Sequence, residues 1–148
     1  MRIAVLADTH DRYPAGFPQR LRGADEIWHL GDVCDPAVLV EFEQLGPPLR
    51  VVQGNCDWHP AWPREWRCVR GGVRFLLTHI APARTPPQVD VILHGHTHVP
   101  RDETDARGVR WLNPGCVSRP RGDAPPSFAW LHLRSGSLDW RVMPLVTP

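Results

Sequence analysis

Six short apolar runs constrain the fold of this 148-residue chain most strongly, because each has the length of a β-strand. Several of them are continuous and rich in β-branched residues, as expected of strands that are covered on both faces. Together with the strand–helix alternation of the early chain, they predict an α/β fold whose later part is mostly β. The runs are residues 3–7, 26–30, 49–52, 73–77, 89–93 and 109–112.

The remaining elements are predicted from turn and capping residues. Residues 128–133 and 138–143 alternate better and predict a closing hairpin across Ser135-Gly136. A helix is predicted over residues 36–45, because Asp35 can cap it, Pro36 occupies its first position and Gly46 follows it. A short helix is expected over residues 17–23, whereas the proline-rich residues 81–88 are expected to be non-helical.

Length and composition indicate one domain that spans residues 1–148. No apolar run approaches the roughly 18 residues of a membrane span, and the N-terminal run is too short for a signal peptide. A cytoplasmic location is therefore expected. The net charge of +1 gives no strong attraction to nucleic acid or to membranes. The four cysteines lack CxxC pairing, which argues against a zinc ribbon or a redox motif.

Polar side chains that can bind metal follow each of the six runs. Because ligands bind at the carboxyl ends of strands in open α/β sheets, these distant groups are expected to meet at one edge. Carboxylate, carboxamide and imidazole together suit Mn, Fe, Zn or Ni, and two such ions can clamp a phosphoryl group. The segments are Asp8-Thr9-His10-Asp11, Gly31-Asp32, Gly54-Asn55-Cys56-Asp57, Thr78-His79, His94-Gly95-His96-Thr97-His98 and Asn113-Pro114-Gly115-Cys116.

Each segment also has a structural interpretation when it is taken alone. Asp-x-His is common at strand ends, and Gly-Asp or Gly-Asn is equally typical of a turn. His79 alone fits a hydrogen-bonded structural histidine, and only His96-Thr97-His98 favours metal binding by itself. The prediction of a metal centre therefore depends on the order in which these five motifs follow one another along the chain.

That ordered set resembles the calcineurin-like metallophosphoesterases over roughly residues 1–145. The resemblance is closer to their small bacterial and archaeal phosphodiesterase branch, the YfcE/Vps29-like proteins. It implies a four-layer αββα sandwich of two mixed β-sheets, with a dimetal site at the C-terminal edge of the strands. The motifs that support the narrower assignment are His29-Leu30-Gly31-Asp32 and Asn113-Pro114-Gly115 followed by Ser118-Arg119-Pro120-Arg121.

The resemblance also implies roles for individual residues. Two divalent ions are expected, with Mn first and Fe, Zn or Ni as alternatives, and Asp32 would bridge them. A bridging hydroxide would attack the phosphorus of a small phosphate ester. Similar proteins commonly form dimers or tetramers, so a homodimer or a homotetramer is expected. The first ion would be held by Asp8, His10 and His98, and the second by Asn55, His79 and His96.

The chain departs from the family pattern beside this site. Cys56 occupies the position where many relatives have a catalytic His, and Asp57, which often orients that His, could instead brace the loop. A thiol replaces imidazolium poorly, which suggests a preference for good leaving groups. His59 could stand in for the missing His or lie at the surface. The proline-rich link after His79 predicts that part of the outer helical layer is missing and that the site is more open there.

Further candidates lie outside the ligand set. Arg12, Arg119 and Arg121 could contact a phosphate or lie in solvent. The segment 58–66, which contains three tryptophans, could stack on a nucleobase, form an oligomer contact or pack over the core, and packing in the core or in an oligomer is expected first.

Three functions remain to be compared. The complete set of seven ligands favours a metal-dependent phosphodiesterase or phosphatase. Cys56 keeps open a non-catalytic scaffold that resembles Vps29. A nuclease acting on DNA ends is disfavoured, because the chain is short, nearly neutral and without a capping domain, and nucleic acid is not the expected partner.

Overall fold

The computed structural model describes residues 1–145, in which ten strands form two five-stranded sheets. The first five strands are β1 (Arg2–Leu6), β2 (Glu26–His29), β3 (Leu49–Val51), β4 (Glu65–Arg70) and β5 (Val73–Thr78). The others are β6 (Val91–Leu93), β7 (Arg101–Thr104), β8 (Arg110–Asn113), β9 (Ser127–Arg134) and β10 (Ser137–Pro144). Both sheets are mixed, so the predicted pair of mixed sheets is confirmed.

The strand order brings two sets of parallel strand ends to the site. The first sheet has the order β10-β9-β1-β2-β3, in which β1, β2 and β3 are parallel. The second has the order β4-β5-β6-β8-β7, in which β5, β6 and β8 are parallel. The antiparallel hairpin of β9 and β10 turns at Ser135-Gly136, as predicted. Each polar segment described above therefore follows one of the six parallel strands.

The main core lies between the two sheets. Ile3, Val5 and Trp28 of the first sheet pack against residues of the second, including Phe75 and Leu77. The Trp28 and Phe75 rings meet edge to face with their centroids 5.3 Å apart. Because β1 and β2 are also buried on their other face, Ile3–Leu6 of β1 and all four residues of β2 are buried in succession rather than at alternate positions.

Short helices cover only the outer face of the first sheet. A 3₁₀ helix spans Pro18–Leu21, and a second one over Pro36–Leu39 runs into the α-helix α1 (Val40–Glu43). The Asp35 carboxylate accepts a hydrogen bond from Ala37 N at 2.9 Å, so the predicted capping residue is confirmed. Phe17 and Phe42 from these segments pack on the outer face of β1 and β2.

The outer face of the second sheet is covered by loops in the described part of the chain. Leu76, Ile92 and Trp111 form a small cluster there, against which Ala81 packs. The link after His79 contains no helix within residues 80–90, so the predicted non-helical segment and the thinner outer layer are confirmed. None of the helices in residues 1–145 has the length and apolar character needed to cross a bilayer.

Two strands were not predicted, and both lie at the edges of the second sheet. β4 alternates between exposed and half-buried positions, and β7 consists of the polar residues Arg-Asp-Glu-Thr. Edge strands present one side of the ladder to solvent, so charged residues are tolerated there and blunt further pairing. The apolar-run criterion therefore missed both strands.

Candidate metal centre

Backbone hydrogen bonds between neighbouring strands continue into the loops that follow them, and they hold these loops together. Asp8 N donates to Gly31 O at 3.0 Å and His10 N donates to Asp32 O at 3.0 Å, which joins the loops after β1 and β2. Gly95 N donates to His79 O at 3.0 Å and joins the loops after β5 and β6 in the same way. The two sheets thus bring their polar loops to a common edge, as the sequence predicts.

One group of donors surrounds Asp8. His98 Nε2 lies 3.3 Å from Asp8 Oδ1, and His10 Nε2 lies 3.9 Å from the same oxygen. The two imidazole Nε2 atoms are 3.3 Å apart. One ligand atom from each of these residues falls within 4.8 Å of the others, a spacing that fits a shared metal ion.

A second group surrounds Asp32. His79 Nε2 lies 3.4 Å from Asp32 Oδ1 and 3.0 Å from Asn55 Oδ1. The His96 ring meets the His79 ring edge to face, with their centroids 5.2 Å apart. Asp32 Oδ2 lies 3.9 Å from His10 Nε2, so this carboxylate faces both groups of donors. The structure thus brings all seven predicted ligands together, with Asp32 between the two groups.

The ligand loops adopt strained backbone conformations. Positive φ angles occur at Asp8 (59°), His10 (44°), Asp32 (56°), His96 (66°) and His98 (62°). These are five of the eight non-glycine residues with positive φ in residues 1–145. Such conformations disfavour ordinary side chains and persist where the surrounding contacts hold them, typically at functional sites.

Gly54 allows the two central loops to approach each other closely. A Cβ atom at this position would lie 2.2 Å from both the backbone nitrogen and Oδ1 of Asp32. Any side chain at residue 54 would therefore displace the central carboxylate. This close approach explains physically why glycine precedes Asn55.

Hydrogen bonds to backbone carbonyls orient the histidines. His98 Nδ1 lies 2.6 Å from Arg119 O, and His79 Nδ1 lies 2.8 Å from Leu30 O. Because a carbonyl only accepts, each Nδ1 carries the proton, which leaves the Nε2 lone pair directed into the site. This arrangement is typical of metal-binding imidazoles.

A buried oxygen provides a direct test of whether the site fits a cation. Asp8 is fully buried, and its Oδ1 atom has no hydrogen-bond partner within residues 1–145. An unpaired carboxylate oxygen in the interior is costly unless a cation balances it. This oxygen and the Nε2 atoms of His10 and His98 together suit a borderline-hard divalent ion. The residues present therefore fit a metal.

The pKa values of the cluster have identifiable causes. Burial raises the pKa of Asp8 to about 7, and the neighbouring Asp32 charge acts in the same direction. Burial opposes ionisation of Asp32 too, but hydrogen bonds from His79 and Cys56 N hold its pKa well below the usual range. Burial lowers the pKa of His10 and favours the neutral imidazole. Neutral imidazole is the form that binds metal.

The residues predicted for catalysis differ in their positions. Cys56 is exposed beside Asn55, and its backbone N–H donates to Asp32 Oδ1 at 2.8 Å. Asp57 is buried, and its carboxylate accepts hydrogen bonds from the backbone N–H groups of Asp32, Cys34 and Gly54 at 2.7–2.9 Å. Asp57 thus braces the loops that contain Asp32 and Asn55. None of these three hydrogen bonds involves a histidine.

Of the three candidate phosphate-binding arginines, two lie at the metal centre and one does not. Arg119 and Arg121 line a cavity of about 370 Å³ together with His10, Asp32 and Asn55. Arg12 is exposed and does not line this cavity. Arg119 and Arg121 therefore line the same cavity as several of the metal-binding donors.

The tryptophan-rich segment divides into packed and exposed parts. Trp66 packs against the main core and Trp62 against the outer cluster of the first sheet. The His59 ring stacks on Trp62 with their centroids 4.5 Å apart, and it does not line the cavity at the metal centre. Trp58, in contrast, is 88% exposed. Packing over the core is therefore confirmed for Trp62 and Trp66, whereas Trp58 does not pack in the core of this chain, and an oligomer contact at Trp58 remains a prediction.

Two further residues lie beside the centre, Cys34, which sequence reasoning overlooked, and Asn113, which it included among the polar segments but gave no role. The Cys34 thiol lies 3.8 Å from His10 Nδ1, on the side of the ring that faces away from Asp8. Asn113 donates from Nδ2 to Gly95 O at 3.0 Å and to Thr97 Oγ1 at 3.1 Å, and so holds the loop that contains His96. The Asn-Pro-Gly motif offered a signal for Asn113, whereas nothing local in the sequence indicates the position of Cys34.

Comparison with known proteins agrees with this geometry. The family model described as a calcineurin-like phosphoesterase superfamily domain matches residues 1–136. A probable metallophosphoesterase of Methanothermobacter thermautotrophicus is 32% identical to this chain, and the alignment covers 97% of this chain and 92% of that protein. Phosphodiesterase YfcE of Escherichia coli is 30% identical, with 88% of this chain and 87% of that protein covered.

Solved structures extend the comparison to the fold. YfcE of E. coli, described as a phosphoesterase, superposes with a TM-score of 0.78 at 26% identity, covering 89% of this chain and 88% of that one. Vps29 of Entamoeba histolytica in complex with Zn²⁺ superposes with a TM-score of 0.76 at 20% identity, covering 97% and 98%, a likeness of fold alone. The chain therefore belongs to the calcineurin-like phosphoesterase superfamily, in the branch that contains YfcE and Vps29.

Proposed function

We propose that this protein is a phosphodiesterase that hydrolyses small phosphate esters with two divalent metal ions. The observation that supports this most directly is the convergence of seven donor side chains, two of them the carboxylates of Asp8 and Asp32. The Asp8 carboxylate has a buried oxygen without a hydrogen-bond partner in residues 1–145. The similarity to phosphodiesterase YfcE supports the class of reaction.

Each donor has a place in the proposal. Asp32 would bind both ions, since its two oxygens face the two groups of donors. We propose Mn²⁺ as the ion, and Fe, Zn and Ni suit the same donors. When bound, two such ions supply an acidified water as nucleophile and a clamp for the phosphoryl oxygens. The first ion would be held by Asp8, His10 and His98, and the second by Asn55, His79 and His96.

The other residues of the cavity would bind and position the ester. Arg119 and Arg121 supply guanidinium groups for phosphate oxygens outside the ligand set. Cys56 N donates to Asp32 Oδ1 and fixes the orientation of that carboxylate. Burial and the Asp32 charge raise the pKa of the Cys56 thiol, so it stays neutral at pH 7 and is a weak acid towards a leaving group. Esters with good leaving groups are therefore the proposed substrates.

A non-catalytic, metal-binding scaffold is the second candidate. Cys56 occupies the position where a catalytic His would be expected, and this substitution is the specific observation that favours it. The Vps29 structure that contains Zn²⁺ supports metal binding in that part of the branch. The two candidates differ in one measurable property, the turnover of an ester by the metal-loaded protein.

Hydrolysis by metal-stripped protein tests the proposal. Bis-p-nitrophenyl phosphate and p-nitrophenyl phosphate would be supplied separately, with Mn²⁺, Ni²⁺, Zn²⁺ or Mg²⁺ added back. We expect metal-restored turnover of the diester. Asp32→Asn should lose the metal content and reduce kcat/KM by about 10³-fold or more, since it removes a ligand from both ions.

Asp139→Asn is the matched control, because Asp139 is an exposed carboxylate on β10 that bonds Arg141. It should keep wild-type metal content and turnover. Tight metal binding without hydrolysis of either ester would refute the enzyme and favour the scaffold. Full activity of Asp32→Asn would instead show that the bridging assignment is wrong.

A further inference from the structure

A second cavity, of about 460 Å³, opens beside the metal centre. We define the Trp58 groove by six of its lining residues, which are Asn55, Trp58, Arg64, Thr78, His79 and Ile80. Asn55 also lines the cavity that contains Arg119 and Arg121. The groove and the arginine-lined cavity thus share a wall at one of the proposed metal ligands.

The groove exposes two large apolar side chains. Trp58 is 88% exposed and Ile80 is 54% exposed, although both types of side chain are ordinarily buried. Ile80 directly follows His79, at the start of the link that contains no helix within residues 80–90. Exposed apolar surface grouped around a concave space is typical of a binding site rather than of a solvated surface.

Hydrogen bonds anchor the residue that precedes Trp58 to the loops of the metal centre. The preceding residue, Asp57, accepts hydrogen bonds from the backbone N–H groups of Asp32 and Gly54. Gln53 Nε2 donates to Asp57 O at 3.0 Å and ties down the same turn. The segment that presents the indole is therefore attached to the loops that contain Asp32 and Asn55. The backbone that bears Trp58 is thus held next to two of the proposed metal ligands.

The chemistry of the walls selects the occupant. An exposed indole face stacks on flat aromatic rings of many kinds. Asp57, Arg64 and Glu65 all line the groove. The Asp57 carboxylate already accepts hydrogen bonds from three backbone N–H groups, so the charges of Arg64 and Glu65 remain, and they balance and match a neutral ring. An anionic group belongs instead beside Arg119 and Arg121 in the adjoining cavity.

We infer that the Trp58 groove binds the ester group of the substrate as a neutral aromatic ring, while the phosphate occupies the metal centre. This inference rests on the proposed phosphodiesterase function and specifies its substrate class as aryl or nucleoside phosphate esters. Trp58 is the residue that determines this specificity, and Ile80 forms the other apolar part of the groove.

Binding of non-hydrolysable phosphonates to the Mn²⁺-loaded protein tests this inference without relying on turnover. Phenylphosphonate and methylphosphonate have the same anionic group and differ only in their single organic group. A difference between their Kd values therefore measures the contribution of the phenyl ring in the groove. We expect calorimetry to give a Kd for phenylphosphonate at least about tenfold lower than for methylphosphonate. In Trp58→Ala this ratio should fall to about one, and Trp58→Phe should restore most of it.

Val69→Ala is the matched control, because Val69 is an exposed apolar residue of β4 outside the groove and should keep the wild-type ratio. Thymidine 5′-monophosphate separates the two ring sources, since tighter binding than phenylphosphonate indicates a nucleoside and weaker binding an aryl group. A wild-type ratio near one, or an unchanged ratio in Trp58→Ala, would overturn the inference. An unchanged ratio together with a smaller oligomer in light scattering would assign the groove to self-association.

The two proposals fail in different ways. If the phosphonates bind equally while the Mn²⁺-loaded protein hydrolyses bis-p-nitrophenyl phosphate, the phosphodiesterase survives and the aromatic groove does not. If neither phosphonate binds and no ester is hydrolysed, the phosphodiesterase itself fails, and the inference fails with it.

Discussion

The two halves of the metal centre differ in how deeply their donors are buried. In the Asp8 half, Asp8 and His98 are buried and His10 is half-buried. In the half around His79, Asn55 and His96 are exposed although His79 is buried. The first half lies between the loops after β1 and β6, whereas the second faces the Trp58 groove.

This difference teaches that one set of ligands can be preorganised to unequal degrees. His96 N donates a hydrogen bond to the Asp8 carboxylate, and His98 Nδ1 donates one to Arg119 O. Both side chains are thereby held in place. Asn55 is exposed and must lose side-chain freedom when it binds an ion. We therefore expect the Asp8 half to bind metal more tightly and the Asn55 half to exchange its ion more readily.

Removing one donor from each half gives the largest expected effect and tests the comparison directly. His98→Ala should reduce kcat/KM for bis-p-nitrophenyl phosphate by about 10³-fold or more and lower the metal content below one ion per chain. Asn55→Ala should keep one tightly bound ion and lose about 10²-fold in kcat/KM. Metal content by mass spectrometry after dialysis, measured beside the kinetics, checks both variants.

His132→Ala serves as the control for these substitutions, because His132 lies on β9 and is not among the groups that could hold a metal. It should keep both ions and full activity. If Asn55→Ala lost both ions while His98→Ala kept one, the order of affinity would be the reverse of that inferred from burial.

Asp8→Asn is expected to produce a smaller effect, on the unfolding free energy. Compared with wild type, the variant should be more stable without metal and less stable with Mn²⁺. Folding raises the pKa of Asp8 from 3.8 to about 7, so the metal-free fold favours the protonated acid. This stabilisation is fully present below pH 3.8 and is lost as the pH rises through about 7. As the pH rises from 5 to 8, the metal-free wild-type protein should therefore lose about 2 kcal/mol more unfolding free energy than metal-free Asp8→Asn does.

Urea unfolding at the two pH values, with and without Mn²⁺, measures this effect. Added Mn²⁺ should stabilise the wild-type protein by binding the folded state, whereas Asp8→Asn should gain much less. Equal Mn²⁺ stabilisation of both proteins would show that Asp8 is not a ligand. An identical pH dependence of the two metal-free proteins would show that Asp8 does not titrate as its burial requires.

The sequence predicts the strands of the site and their ligands because both are local features. A continuous apolar run specifies a buried strand, and the residues that follow it necessarily lie at the strand's carboxyl end. Asp8 after β1 and His79 after β5 could therefore be identified without knowledge of strand order. The bridging role of Asp32 came from the family resemblance, and it remains a prediction.

Other features could not be predicted, since they depend on tertiary contacts. β4 and β7 are charged or polar edge strands whose pairing partners alone define them. The approach of the Cys34 thiol to His10, and the sharing of Asn55 between the two cavities, arise where separate loops meet. Trp58 was expected to pack because tryptophan usually does, and only the structure shows its exposure.

Cys56→His is expected to have the smallest effect, and it tests whether the exposed half of the centre lacks an acid. The neutral thiol cannot replace imidazolium, so a histidine here should assist departure of a poor leaving group. We expect kcat to rise by up to about tenfold for methyl phenyl phosphate and to stay within about twofold for bis-p-nitrophenyl phosphate, whose leaving group needs no proton. Cys56→Ser is the control for size and should match wild type on both esters. Total loss of activity in both variants would instead show that the thiol has a specific role at the Asn55 half of the centre.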